Sequence, residues 1–265
     1  MSTSPEGGNP FAPPKAAVLE PAVSESGLLN EGRKVPASRG AGWFSEGWRI
    51  FASSPGTWVV MFIVFALMWV VLAIVPGGSL LASLVYPVFS GGIMLGCRKV
   101  EEGGSLALSD LFSGFSKNAG NLLLVGLLYL AATFMIGILV GIGVALMIPA
   151  MKGVSAANSA AGFMAMAPML ALVILVAMVL MVPVFMAIWF APALVVFHDA
   201  QPMASLRASF SGCLRNIGPF LVYGIVGFVL AILAALPVGL GSLVLGPVVW
   251  GSMYAAYRDI FLQRD

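Results

Sequence analysis

Charge is what this chain lacks. Four stretches, 50–97, 118–151, 153–197 and 216–257, contain no Asp, Glu, Lys or Arg. Only 9% of the residues are charged and 60% are hydrophobic, against about 25% and about 45–50% in a soluble domain. The mean hydropathy is +1.02. Such a chain cannot cover a water-facing surface, and uncharged apolar runs longer than about eighteen residues read as membrane-spanning helices. The spans also lack the intramembrane ionisable groups on which pumps and transporters usually rely. One histidine and two cysteines are too few for a disulfide framework or a metal cage. There is no phosphate loop, zinc signature or dinucleotide fingerprint, so no cofactor, metal or nucleic-acid partner is expected. Residues 1–40 hold no apolar run of signal-peptide length, and Phe11 is the only aromatic before Trp43. They read as a disordered cytoplasmic tail, too poor in apolar surface to offset its ordering entropy.

What is present is a set of six apolar segments. The spacing predicts spans at 57–75, 80–97, about 121–148, about 169–197, 220–236 and 240–257. A helix of roughly 20 residues crosses a hydrocarbon core of about 30 Å. Of the 13 Lys and Arg residues, all but Lys152 fall on one side of this topology. The positive-inside rule places that side, with both termini, in the cytoplasm. Trp58, Trp69, Trp189 and Trp250 lie towards span ends, as interfacial anchors do.

The chain repeats three times. Aligned on Gly56, Gly120 and Gly218, the residues twelve positions earlier are Phe44, Leu108 and Leu206. Eight positions earlier stand Trp48, Phe112 and Phe210, and five earlier stand Phe51, Phe115 and Cys213. The i, i+4, i+7 spacing places each trio on one helix face. Ser54, Asn118 and Asn216 precede the glycines by two and are N-cap types, with Pro55 suited to a helix's first position. Cys97-Arg98-Lys99, Phe197-His198-Asp199 and Tyr257-Arg258-Asp259 close the three hairpins. The expected fold is therefore all-α: a polytopic membrane bundle of six transmembrane helices in three hairpins, each preceded by a cytoplasmic interfacial amphipathic helix. The repeat units span about 41–100, 105–199 and 201–260 within a membrane domain at 41–260, followed by a cytoplasmic C-terminus at 261–265. They are parallel repeats about an axis along the membrane normal.

The interfacial helices carry the candidate functional residues. Trp43, Phe44, Trp48 and Phe51 are expected to dip into the headgroup boundary while Glu46 and Arg49 stay wet. Leu108, Phe112 and Phe115, then Leu206 and Phe210, repeat the pattern. These helices either position the next span or form a ring that meets anionic lipid or a partner. Each has only one or two basic residues, short of the roughly four to eight of an anionic-lipid cluster. Pro87, Pro183, Pro192 and Pro247 are expected to kink their helices. Such broken helices either are satisfied by neighbours or expose backbone for a substrate. Small-residue lines, Gly137-Gly141-Ala145, Gly92-Gly96 and Gly227-Ala231-Ala235, suit close helix packing within the bundle or between copies. His198 matches a cationic anchor at a helix end, and Glu101-Glu102 reads as a solvated loop.

The stretch Arg33-Lys34-Val35-Pro36-Ala37-Ser38-Arg39-Gly40, then Gly42-Trp43-Phe44-Ser45-Glu46-Gly47-Trp48-Arg49-Ile50-Phe51 and Pro55, resembles the opening of an uncharacterised family of six-span inner-membrane proteins from betaproteobacteria. Asp110-Leu111-Phe112-Ser113-Gly114-Phe115 resembles its second motif. The resemblance covers about residues 33–260. It implies a bacterial inner-membrane location and no particular chemistry. A looser likeness connects the chain to the membrane domain attached to some glycerophosphodiester phosphodiesterases, which also repeats helical hairpins. Their catalytic domain has no counterpart here, so that activity is not carried over. The expected function is a non-enzymatic scaffold, assembly or envelope factor, in contact with the lipid bilayer and with a protein partner or a second copy. The alternative is a transporter or channel for an apolar or lipid-like solute, using the proline-broken second and sixth spans.

Overall fold

The computed structural model describes residues 31–152 and 160–262. The expected tail before residue 31, the loop at 153–159 and residues 263–265 lie outside the described residues. The described chain is helical. It runs α1 (Arg39–Ser53), α2 (Pro55–Ile74), α3 (Gly78–Glu101), a 3-10 turn (Leu108–Phe112), α4 (Ser113–Ser116), α5 (Ala119–Lys152), α6 (Ala160–His198), α7 (Pro202–Arg215), α8 (Ile217–Ala235) and α9 (Ser242–Phe261).

Five of these helices, α2, α3, α5, α6 and α8, are long and apolar enough to cross a membrane. Each corresponds to an expected span. The sixth expected span is helix α9, which falls short of that standard because Arg258 and Asp259 stand in its last turns among small and polar residues. Its environment explains the composition. Nearly every α9 side chain from Pro247 to Phe261 is buried by other helices, so it has little need of a lipid-compatible surface. The long outer loop expected at 149–168 is mostly helix instead. Helix α5 runs past Pro149 to Lys152, and α6 starts at Ala160. The Ala- and Met-rich run 160–167 favours helix over loop.

The three units pack in a ring. Helices α3, α6 and α9, the second members of the hairpins, meet at the centre, with α2, α5 and α8 outside them. Each short segment that opens a unit lies on the second helix of the preceding unit. The 3-10 turn and α4 lie on α3, α7 lies on α6, and α1 closes the ring on α9. They therefore gather at one end of the bundle, which we call the collar; the opposite end, where α2 turns into α3 and α8 into α9, is the distal end.

Burial follows this division. Helix α3 is exposed at Ser79–Leu81 and buried continuously from Pro87 to Met94. Helix α9 is exposed at Val244 and buried from Gly251 to Tyr257. Pro87 and Pro247, with Pro183 and Pro192 in α6, lie inside continuous helices. Pro87 and Pro247 mark the level at which their helices enter the packed half, and each removes one backbone donor there.

Candidate functional site: the collar

Within the expected tail, residues 33–35 are bonded into the collar. The Arg33 amide donates to Ile260 O at 2.8 Å, and the Val35 amide donates to Asn216 Oδ1 at 2.8 Å. Asn216 Nδ2 donates to Arg33 O at 2.9 Å and to Gly212 O at 2.8 Å. Asn216 is thus a fully buried bracket for residues 33–35, and its side chain does not cap α8. Ser54 makes no side-chain cap either. Asn118 donates to Asp199 Oδ1 at 3.2 Å, both residues in the left-handed region that Asn and Asp tolerate best. At Asn118 and Asn216 tertiary bonds stand in place of the expected capping role.

Helix α1 crosses α9 at glycines. A Cβ at Gly47 would collide with Val248 O and Ser252 N, and Gly251 faces Gly47 across the contact. The Gly114 position meets Val88 O in the same way, and Gly92 meets Leu111 O. These close approaches bring the backbones together. Gly92 and Gly96 are therefore used within the bundle, whereas Gly137 and Gly141 have nothing within 4 Å.

The third crossing uses a side chain. The Ser209 hydroxyl of α7 accepts from Phe190 N at 2.9 Å and donates to Met186 O at 2.7 Å. Those are the two groups an α-helix would join to each other. Ser209 is inserted into the ladder of α6 between Pro183 and Pro192, a recognised cause of helix bending. Cys213 Sγ also donates to Met186 O, at 3.5 Å. Burial pushes the Cys213 thiol up to about 12, which keeps it protonated and unreactive at neutral pH.

Burial divides the residues expected to anchor at the headgroup boundary. Trp43, Phe44 and Phe51 are core residues, with Trp43 fully enclosed. Phe44 stacks on Tyr223 of α8 at 4.5 Å between ring centroids. Trp58 is also fully buried and donates to Ile50 O at 3.1 Å. Trp48 alone of the first group is exposed. Leu108, Phe112 and Phe115 are exposed, but on a 3-10 turn and a single helical turn instead of one regular amphipathic helix. Phe112 and Phe115 meet the edge of Phe89, and Leu111 takes the buried position. Leu206 and Phe210 are half-buried on α7.

At the centre of the collar lies an ion-pair network. Asp259, 1% exposed, accepts from Arg39 Nε at 2.5 Å and from Trp43 Nε1 at 2.9 Å. Arg33 Nε donates to the Asp259 carbonyl at 2.5 Å. Arg39 also pairs with Glu46. Glu46 pairs with Arg258 at 2.9 Å, and Arg258 pairs with Glu101. Glu101 accepts from the Tyr254 hydroxyl at 2.8 Å. The network ties the entry segment, α1, α3 and α9 together. Glu46 and Glu101, expected to be solvated, are members of it. Asp259 chiefly raises the pKa of the Arg39 guanidinium through their hydrogen bond, against the burial that lowers it. The i, i+4, i+7 spacing of Arg39, Trp43 and Glu46 was the available signal for this face. Lys99 pairs with Asp110 at 3.0 Å across the corresponding contact of α3.

His198, expected as a cationic anchor, lies 2.5 Å from the Tyr257 hydroxyl through Nε2. Arg98 sits over the Phe197 ring and Arg258 over the Tyr254 ring, 5.5 and 5.6 Å from the centroids, in cation–π range. Among the described residues no group of three or more His, Cys, Asp or Glu could hold a metal ion.

No protein-family model matches the chain, and no solved structure matches it. These comparisons do not bring out the likeness to the phosphodiesterase-associated membrane domain. A probable inner membrane protein of Burkholderia thailandensis is 33% identical over 253 residues, covering 86% of this chain and 93% of the relative. Identity at that level over nearly the whole of both chains establishes common descent: the chain belongs to the same betaproteobacterial family of probable inner membrane proteins.

Proposed function

We propose that the protein is a non-enzymatic scaffold, assembly or envelope factor of the bacterial inner membrane, acting through its collar. The observation that carries this reading is the ion-paired ring closure. Three helices distant in sequence, α1, α3 and α9, are joined at one end by Asp259, Arg39, Glu46, Arg258 and Glu101. A buried charge network fixes geometry more than it adds stability, which suits a platform that must present a constant surface. Arg49, Trp48 and Leu214 are exposed on that platform.

In this reading α9 is the sixth span. Its 20 residues measure about 30 Å at about 1.5 Å per residue, and the surrounding helices shield its polar end. Six spans return both termini to one side, and the cationic residues gathered there make that side cytoplasmic. Passage along the second and sixth spans has less support. Helices α3 and α9 meet through buried side chains in the collar half. Purified protein in liposomes should give no saturable flux across a panel of apolar, neutral and ionic solutes. Copurification from native membranes should recover a partner that is lost when Arg49 and Trp48 are replaced together by Ala. Robust saturable flux overturns the proposal.

A further inference from the structure

The distal half contains a cavity of about 530 Å³ between α2, α3, α5 and α6. Its walls include Trp69, Tyr86, Tyr129, Phe185 and Trp189, with Ser83 beside them. The size lies within the roughly 300–1,000 Å³ of small-molecule sites. Below it the bundle closes, because α3 is buried from Pro87 onward and Ile188 is buried on α6.

Its polar groups set it apart from a packing gap. Buried tyrosine hydroxyls and tryptophan N–H groups ordinarily find partners, and in the collar they do. Tyr223 bonds Ser252 at 2.8 Å, Tyr254 bonds Glu101 at 2.8 Å, Tyr257 bonds His198 at 2.5 Å, and Trp43 bonds Asp259 at 2.9 Å. Around the cavity the hydroxyls are left open to the space. The hydroxyls of Tyr86 and Tyr129 make no hydrogen bond among the described residues. Trp189 Nε1 is buried without an acceptor. Two potential donors, the Tyr86 and Tyr129 hydroxyls, therefore belong to side chains that line one space, while Trp189 Nε1 is enclosed behind it.

The lining also constrains the ligand. It contains no Asp, Glu, Lys, Arg or His, so an ionised group would be held there without a counter-charge, at high desolvation cost. The rings of Trp69 and Phe185 offer apolar contact to the rest of the molecule.

We propose that this cavity binds an uncharged amphiphile, its apolar body against Trp69 and Phe185 and an accepting oxygen of carbonyl, ester or ether type held by the hydroxyls of Tyr86 and Tyr129. The same chemistry is found in a neutral lipid of the bilayer and in a free neutral solute. Photolabelling of the full-length protein in phospholipid nanodiscs separates these sources. One probe is a diazirine-bearing diacylglycerol, the other a diazirine-bearing octyl acetate. Labelled peptides should concentrate on residues 69–86, 129 and 185–189. Unlabelled octyl acetate should compete at least about tenfold better than octanoate or octylammonium. The double variant Tyr86→Phe/Tyr129→Phe keeps both rings and should lower labelling roughly fivefold or more, with its thermal midpoint close to that of the parent. Labelling by the diacylglycerol alone assigns a lipid, and labelling by the acetate alone assigns a free solute; either supports the site. Labels spread over the lipid-facing residues Leu221, Ile225 and Phe228 in proportion to their exposure overturn it. So does undiminished labelling of the double variant.

Discussion

The two halves of this bundle use the same amino acids to different ends. In the collar half, aromatic and small residues are enclosed, tyrosine hydroxyls are paired, and glycines bring backbones into contact. In the distal half, α2, α5, α6 and α8 present Leu, Ile, Val and Phe outward; Gly126 of α5 still meets α3 at Leu84 O, but Gly137, Gly141 and Gly143 beyond it face open space. Lipid tails solvate an apolar side chain about as well as leucine does. The distal half therefore gains little from apolar burial alone. The collar end, rich in ionised groups, gathers polar bonds and close backbone contacts. The difference teaches that specificity in this fold lies at one end, and that the repeats are joined there.

Paired substitutions, first buried against exposed within the collar and then collar against distal half, can break that contrast. The largest effect should come from Asp259. Asp259→Ala leaves Arg39 and the Trp43 N–H without their shared acceptor and should cost about 3 kcal/mol or more in thermal or SDS-induced unfolding. Glu102→Ala removes an exposed i, i+4 partner of Arg98 and should cost under about 0.5 kcal/mol. Next are the glycines. Gly47→Ala forces a methyl group against Val248 O and should cost about 1–3 kcal/mol. Gly141→Ala adds a methyl group to open space and should leave stability unchanged or raise it by up to about 1 kcal/mol. Ser209→Ala removes the bridge between Met186 and Phe190 and should cost about 1–2 kcal/mol. Ser83→Ala loses a hydroxyl bonded only to its own helix at Ser79 O and should fall within about 0.5 kcal/mol of the parent. Equal losses in the two members of any pair would erase the distinction.

The smallest effect is chemical. The Cys213 thiol is raised by burial, so its thiolate, present only as pH climbs towards about 12, is scarce in the folded protein. Maleimide should leave Cys213 unlabelled between about pH 7 and pH 9 and modify it after unfolding. Cys97 is buried too and adds no background. Ser79→Cys, at the exposed start of α3, should label in the folded state.

The sequence displayed these features unevenly, for physical reasons. Spans are legible because lipid forbids unpaired charge, and that prohibition leaves uninterrupted runs such as 57–75. The repeat is legible because Phe44, Trp48 and Phe51 share spacing with their counterparts. What the residues at those positions touch is not legible. Apolar aromatics on an amphipathic face suit a headgroup boundary and a protein crossing equally, and Trp43, Phe44 and Phe51 took the crossing. Asn216 and Ser209 bond partners 181 and 19 residues away, which no local pattern reveals, and Asn216 also suits a local cap. The loop at 149–168 failed because proline and glycine mark breaks in water, whereas the Ala- and Met-rich run that follows is a good helix former. The collar network was hidden for a similar reason. Glu101 sits beside another acid and looks solvated, and only the return of α9 brings Arg258 to it.

The proposed topology is six membrane crossings with the collar in the cytoplasm. Dual-reporter fusion tests this most directly, with an alkaline phosphatase–β-galactosidase fragment placed after Asp265 and, separately, near Ser159. The prediction is a cytoplasmic reporter at Asp265 and a periplasmic one at Ser159. A periplasmic reporter at Asp265, leaving α9 outside the count of spans, would contradict it.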